Sequence, residues 1–175
     1  MKKIKYIYLL LGIFFSCQPS NKLIQNDIEN NTRLLQDLME LWETGDTSKT
    51  PELFVEKATY TDVPNNNTMR GIEGINQYLT HVHMWASNVQ MDIRNIKVSP
   101  KMGYVEWTFT AVHTSPIPGR VSVATNRNVT LKGATLVEFN EGKIQKASDY
   151  MDVLGFVIPL GSKVELPGGV IIGNE

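Results

Sequence analysis

A single cysteine, Cys17, leaves this chain no means of stapling itself with a disulfide, so packing has to hold its fold. Histidine is scarce as well. His81 and His83 lie two apart on a predicted helix and so cannot form the i, i+4 pair that a helical metal site favours, while His113 stands alone near a strand end. Surface or rim positions are expected for all three, and neither a metal nor an organic cofactor is expected. Long apolar runs are missing too, since the stretch at 6–15 is too short to span a bilayer. Basic residues are not in excess: 17 Lys and Arg stand against 18 Asp and Glu, and no basic patch with interleaved aromatics occurs, which excludes nucleic acid as an expected partner. Internal repeats, charge blocks and low-complexity tracts are likewise absent from the sequence.

What is present begins with Lys2, Lys3 and Lys5, the apolar stretch 6–15, and then Ser16-Cys17 followed by polar residues. This order reads as a targeting segment. It resembles a bacterial lipoprotein signal, in which a small residue precedes the cysteine that is lipidated. The expected organisation is a signal and lipidation cysteine over 1–17, a tether over 18–24, one domain over 25–161 and a tail over 162–175. The mature chain is then expected outside the cytoplasm, at the cell envelope, touching the membrane through its acyl chains alone. Without residues 1–16 it carries 14 basic against 18 acidic side chains.

Ile24, Ile28, Leu35, Leu38 and Trp42 recur at helical spacing and Gly45-Asp46 stops the pattern, which predicts a first helix over 25–44. A short second helix is expected near Pro51, capped by Ser48 or Thr50, with Leu53, Phe54 and Val55 as its apolar side. Ala58, Tyr60 and Asp62 alternate with Thr59, Thr61 and Val63 as in a strand, ended by the loop Pro64-Asn65-Asn66-Asn67. A third helix is expected from Gly71 to about Ser87. Strands are expected near 89–98, 103–114, 120–139 and 143–152, with a turn at Asn140-Glu141-Gly142 and a short helix or turn from Val153 to Leu160. This order is α+β, and a sheet with so long a strand must curl, leaving a pocket on its concave face.

Five phrases carry a resemblance across nearly the whole of 25–161: ATYTDVP at 58–64, RGIEGINQYL at 70–79, VEWTFTAVHT at 105–114, LKGATLVEFNEGKI at 131–144 and SDYMDVLGF at 148–156. In their order and spacing the chain resembles the SnoaL-like polyketide cyclases of the nuclear transport factor 2-like superfamily, to which ketosteroid isomerases and limonene epoxide hydrolases also belong. The resemblance implies a cone-shaped, curved antiparallel sheet wrapped around three N-terminal helices. It also implies an apolar pocket for a small hydrophobic ligand, and a homodimer through the outer face of the sheet. Acid/base chemistry of the cyclase or isomerase kind on a carbonyl compound is the implied activity. A non-catalytic ligand-binding lipoprotein is the alternative.

Three residues are candidates for the chemistry. Asp149 matches the acid/base aspartate of the cyclases, and the period-two geometry of its strand puts it on one face with Ala147 and Met151, away from Asp152, which is expected to cap the closing helix. Asp62 resembles the general-base aspartate of the isomerases, or else it caps the Asn-rich loop that follows it. Tyr60 shares a face with Asp62 and resembles the tyrosine that positions water in the epoxide hydrolases. Trp107, Phe109, Thr135 and Met151 are expected to line the pocket. Thr135 stands where the cyclases carry a histidine, fourteen residues before Asp149, and Leu38 stands where the isomerases carry an oxyanion-binding tyrosine. The strand Val105-Glu106-Trp107-Thr108-Phe109 carries neither the arginine nor the aspartate of the epoxide hydrolases.

Overall fold

The computed structural model describes residues 19–173, so the expectations for the targeting segment and for Cys17 fall outside the described residues. Helix α1 runs over Pro19–Thr44, longer at its start than the periodicity predicts. It ends as the sequence requires: Gly45 takes φ 69° and donates its N–H to the Leu41 carbonyl at 2.9 Å, a left-handed stop that a residue with a Cβ adopts at a cost. A 3₁₀ turn over Thr47–Lys49 follows, capped by Asp46, whose side chain accepts from the Ser48 N–H, and the next helix starts from Lys49 with no side-chain cap, not from the expected Ser48 or Thr50. Helix α2 is the single turn Thr50–Leu53 with Pro51 inside its start. Phe54 and Val55, expected in that helix, open strand β1 instead, which runs over Phe54–Asp62.

Strand β2 (Asn67–Arg70) turns back on β1, and helix α3 covers Gly71–His81, stopping before the expected Ser87. A further 3₁₀ turn, Val82–Met84, leads into β3 (Ala86–Val98). Strands β4 (Met102–His113), β5 (Asn128–Asn140) and β6 (Lys143–Met151) complete the sheet, and the one-turn helix α4 (Val153–Val157) closes it, capped by Asp152. The turn between β5 and β6 has Glu141 at φ 52° and Gly142 at φ 73°, the two-residue geometry that matches strand twist. The tail forms a small hairpin of β7 (Val164–Leu166) and β8 (Val170–Ile172).

The sheet order is β2-β1-β6-β5-β4-β3. The α+β class and the curved sheet hold, but the pairing is not antiparallel throughout. β1 and β6 run parallel, with Asp62 opposite Asp149, joined by a long crossover through β2, α3 and the three strands β3 to β5 rather than by a hairpin. Strand β5 begins at 128, not 120. Pro118 and Gly119 lie in a turn that closes Ile117 onto Val121 as an isolated bridge, which removes 120–127 from the sheet.

The core lies between the concave face of the sheet and α1 and α3. Leu35, Leu38 and Met39 of α1 and Ile75 and Leu79 of α3 are buried against Val105, Phe109 and Ile144. His113 belongs here too. Its side chain is completely buried, contrary to the expected rim position, because β4 continues its inward alternation through 105, 107, 109, 111 and 113, and the loop after it folds back. Its Nδ1 accepts the Thr125 N–H at 3.2 Å and burial lowers its pKa, so the ring is held neutral.

Candidate functional site

At one end of the concave face the helices stop short of the sheet and leave a cavity of about 490 Å³, within the range for small-molecule sites. Its body is apolar, with Trp85, Trp107, Phe109, Leu131 and Met151 on its walls. Trp107, Phe109 and Met151 therefore stand where the strand alternation places them. Its polar lining includes Asp62, Tyr78 and Asp149, and three hydroxyls converge on the Asp149 carboxylate.

Asp149 is 1% exposed, on β6, yet faces the cavity. Three hydroxyls surround its carboxylate. Thr135 Oγ1 donates to Oδ1 at 2.6 Å and Tyr60 Oη donates to the same oxygen at 2.9 Å, while Tyr78 Oη donates to Oδ2 at 3.3 Å. Two of these hydroxyls are held from behind by indoles: Trp107 Nε1 donates to Thr135 at 2.9 Å and Trp42 Nε1 to Tyr60 at 3.1 Å. An indole nitrogen only donates, so Thr135 and Tyr60 must turn their hydrogens toward Asp149. Oδ1 is thus occupied by two fixed donors, and the oxygen left to take up or release a proton is Oδ2.

Burial lifts the Asp149 carboxyl to about 7, against the pull of the hydrogen bonds from Thr135, Tyr60 and Tyr78, with the charge of Asp62 adding a further upward push. Burial also raises Tyr60 and Tyr78, helped in both by the Asp149 charge, so both phenols stay protonated donors. At neutral pH Asp149 is divided between acid and base, the condition under which one carboxyl can both take and return a proton.

The register brings Thr135 and Asp149 together as direct cross-strand partners, and Asp62 and Asp149 as neighbours across the parallel pair. Asp62 is 8% exposed and lines the cavity, and it also caps the loop after β1: Oδ1 accepts the Asn65 backbone N–H at 3.3 Å and Oδ2 accepts the Asn65 side-chain amide. The two readings of Asp62 are therefore compatible. Thr135 and Tyr60 are not on the cavity wall. Both side chains are completely buried behind Asp149, because the curl of the sheet turns the carboxylate outward over them.

Tyr78 and Trp42 are the residues that sequence reasoning missed. Tyr78 lines the cavity from α3, packs edge-on against Trp42 with ring centroids 5.1 Å apart, and presents a hydroxyl beside Oδ2. The signal lay in the apolar stripe of α3, where 78 falls three residues from Ile75 and four before Val82. Leu38, at the isomerase tyrosine position, is buried in the core, so the cavity-facing phenol comes from a different helix.

Comparison with known proteins agrees with this fold. No curated protein sequence matches the chain significantly. Among solved structures, TsrD from Streptomyces laurentii superposes with a TM-score of 0.64 at 19% identity, over 73% of this chain and 91% of that one. A protein of ketosteroid isomerase-like fold from Catenulispora acidiphila, solved with trimethylamine, gives 0.59 at 20% identity, over 71% and 88%. A candidate polyketide cyclase from Xanthomonas campestris gives 0.65 at 16%, over 77% and 99%. At such identities these likenesses establish the fold alone. The model of the SnoaL-like polyketide cyclases, in contrast, matches residues 32–157, which span the sheet, the cavity and Asp149, and on that match the chain belongs to the SnoaL-like polyketide cyclase family.

Proposed function

We propose that this domain catalyses proton transfer of the cyclase or isomerase kind on a small apolar carbonyl compound, with Asp149 as the acid/base. The observation that carries the reading is a buried carboxyl, raised to about 7, that faces an apolar cavity with one oxygen fixed by two hydroxyls and the other met by the longer hydrogen bond from Tyr78 alone. In its ionised form Oδ2 accepts a proton from the carbon beside the carbonyl. As Oδ2 takes that proton, the Tyr78 hydroxyl, which faces the cavity, turns its one hydrogen from Oδ2 to the carbonyl oxygen, where negative charge develops. Protonated Asp149 then returns the proton to a different carbon, or to the carbon or oxygen left after ring closure. Tyr60 and Thr135 are positioning residues that hold Asp149, and Asp62 supplies a second carboxylate on the cavity wall.

The test is deuterium wash-in beside the carbonyl of a panel of apolar ketones and esters, followed by proton NMR. Wild-type protein should speed exchange in at least one compound, and Asp149→Asn should remove about 100-fold or more of that rate, the usual share of a general base. Equal exchange in the two proteins sinks the reading. A second reading, a ligand-binding protein without turnover, is favoured by Thr135: where the cyclases have a histidine, this chain has a hydroxyl engaged between Asp149 and Trp107. On that reading no panel compound exchanges, yet an apolar molecule co-purifies and is seen by native mass spectrometry.

We further propose that Cys17 is acylated and holds the domain at the cell envelope, on the strength of the basic, apolar and Ser16-Cys17 order at its start. Metabolic labelling with a fatty acid should mark wild type and not Cys17→Ser. Equal labelling of both overturns it.

A further inference from the structure

The mouth of the cavity is polar in a way that the acid/base reading leaves unused. Two loops meet there: the turn after β1, bearing Asn65, and the connection between β4 and β5, bearing Ile117 and Arg120. All three residues line the cavity, Ile117 from a buried position and Asn65 and Arg120 from exposed ones. The Arg120 guanidinium donates to Asn65 Oδ1, while the Asn65 amide nitrogen donates to Asp62. The amide therefore stands between cation and carboxylate. Among the described residues Arg120 forms no ion pair, in contrast to the surface pairs Lys49–Glu40, Arg94–Asp92 and Lys146–Glu138. Its place is fixed from its own side as well, because Arg120 sits inside the Ile117–Val121 bridge, where its N–H bonds to the Ile117 carbonyl at 3.0 Å. A guanidinium outside any ion pair among the described residues is thus held at the open end of a cavity whose body is apolar.

We propose that Arg120 is a specificity-determining residue that binds an anionic oxygen group, a carboxylate or a group of like geometry, on a ligand whose apolar body lies against Trp107, Phe109 and Met151. A guanidinium offers five N–H donors in a fixed fork that matches such a group, and only part of that fork is engaged by the Asn65 carbonyl. An anion arriving at the mouth meets the guanidinium and the donor face of the loop, with the Asn65 amide screening it from Asp62. The ligand is then held at two ends, its charged group at Arg120 and its reacting part beside Asp149. This inference rests on the proposed use of the cavity as a ligand site and deepens it by naming the substrate class.

The experiment uses two fluorescent probes with the same aromatic body, the anionic 1-anilinonaphthalene-8-sulfonate and the uncharged N-phenyl-1-naphthylamine, titrated into the purified protein. Wild type is expected to bind the anionic probe more tightly. Arg120→Gln should weaken that probe about tenfold, the scale of one charge-assisted hydrogen bond, while leaving the uncharged probe within about twofold. Arg120→Lys should restore part of the difference. Titration of Asp149→Asn in parallel checks that the probes occupy this cavity, because that variant should alter affinity for both. Equal weakening of the two probes by Arg120→Gln, no change in either, or failure of both to bind wild type overturns the proposal. Because binding is read without turnover, a lack of Asp149-dependent exchange leaves this result interpretable.

Discussion

A carboxylate buried at the centre of a hydrogen-bond network makes opposing demands on one residue. Asp149 has a folded-state pKa raised by burial to about 7 from the ordinary carboxylate value of 3.8, so the folded protein holds its proton more tightly than the unfolded chain does. The stability this gives is fully present below the unfolded value and is lost as pH rises toward 7. At about three units, and 1.4 kcal/mol for each, the ionised form costs roughly 4 kcal/mol at pH 8. Asp149→Asn should therefore melt higher than wild type at pH 8, with the advantage shrinking toward pH 4. Melting curves across that range check it, and a constant difference would mean that Asp149 does not titrate in the folded state. Thr135→Val acts in the opposite sense on the site. It removes a hydrogen bond that holds the Asp149 pKa down and leaves the Trp107 indole N–H without its partner, so Asp149 should titrate higher and the fold should lose about 1–3 kcal/mol. Carboxyl-carbon NMR of the variant reads the first effect and denaturant unfolding the second. An unchanged titration would remove Thr135 from the network.

At the scale of the element, strand alternation and close packing place these side chains. Gly133 of β5 lies between Trp107 of β4 and Met151 of β6 in register, and a Cβ there would come within 2.6 Å of the Trp107 ring and 2.7 Å of the Tyr150 carbonyl. Gly133→Ala should push the indole off Thr135, cost about 1–3 kcal/mol as overpacking does, and narrow the cavity. Weaker binding of an aromatic probe together with a lower melting temperature is the expected result, and wild-type values for both would show that the indole yields freely. The same elements explain what could be read in advance. Period-two spacing in β4 and β6 places Trp107, Phe109 and Asp149 inward, and Glu141-Gly142 marks its hairpin. Strand β2 was hidden because Asn67, Thr68 and Arg70 show no apolar alternation, and only pairing with β1 makes them a strand. Val121 and Val123 mimicked a strand start that the Pro118-Gly119 turn forbids. Tyr78 reaches Asp149 across 71 residues of sequence, a contact that local periodicity does not encode.

At the scale of the whole molecule, the convex face of the sheet carries the chemistry that the concave face does not use. Tyr104 of β4 pairs across to Leu136 of β5, and Tyr150 of β6 lies one step diagonal to it through its partner Ala134. Met102 stands at the end of the same face, 61% exposed, with Leu136 at 46% and Tyr150 at 50%. Exposed apolar side chains scattered singly need no explanation, but neighbours on one sheet face, rimmed by the Lys146–Glu138 ion pair, have the apolar centre and polar edge expected of an association surface. A symmetric pair of such sheets would bury each set against its copy, leaving the cavities open on the opposite sides. The expected outcome is a homodimer in sedimentation equilibrium at micromolar concentrations. Leu136→Glu and Tyr150→Glu, each placing a charge against its own copy, should each weaken association by about 30-fold or more, the scale of a central interface residue, without moving the Asp149 titration. A wild-type protein that sediments as a monomer at those concentrations, or a dimer indifferent to both substitutions, would show that this face is solvent-exposed in the working molecule.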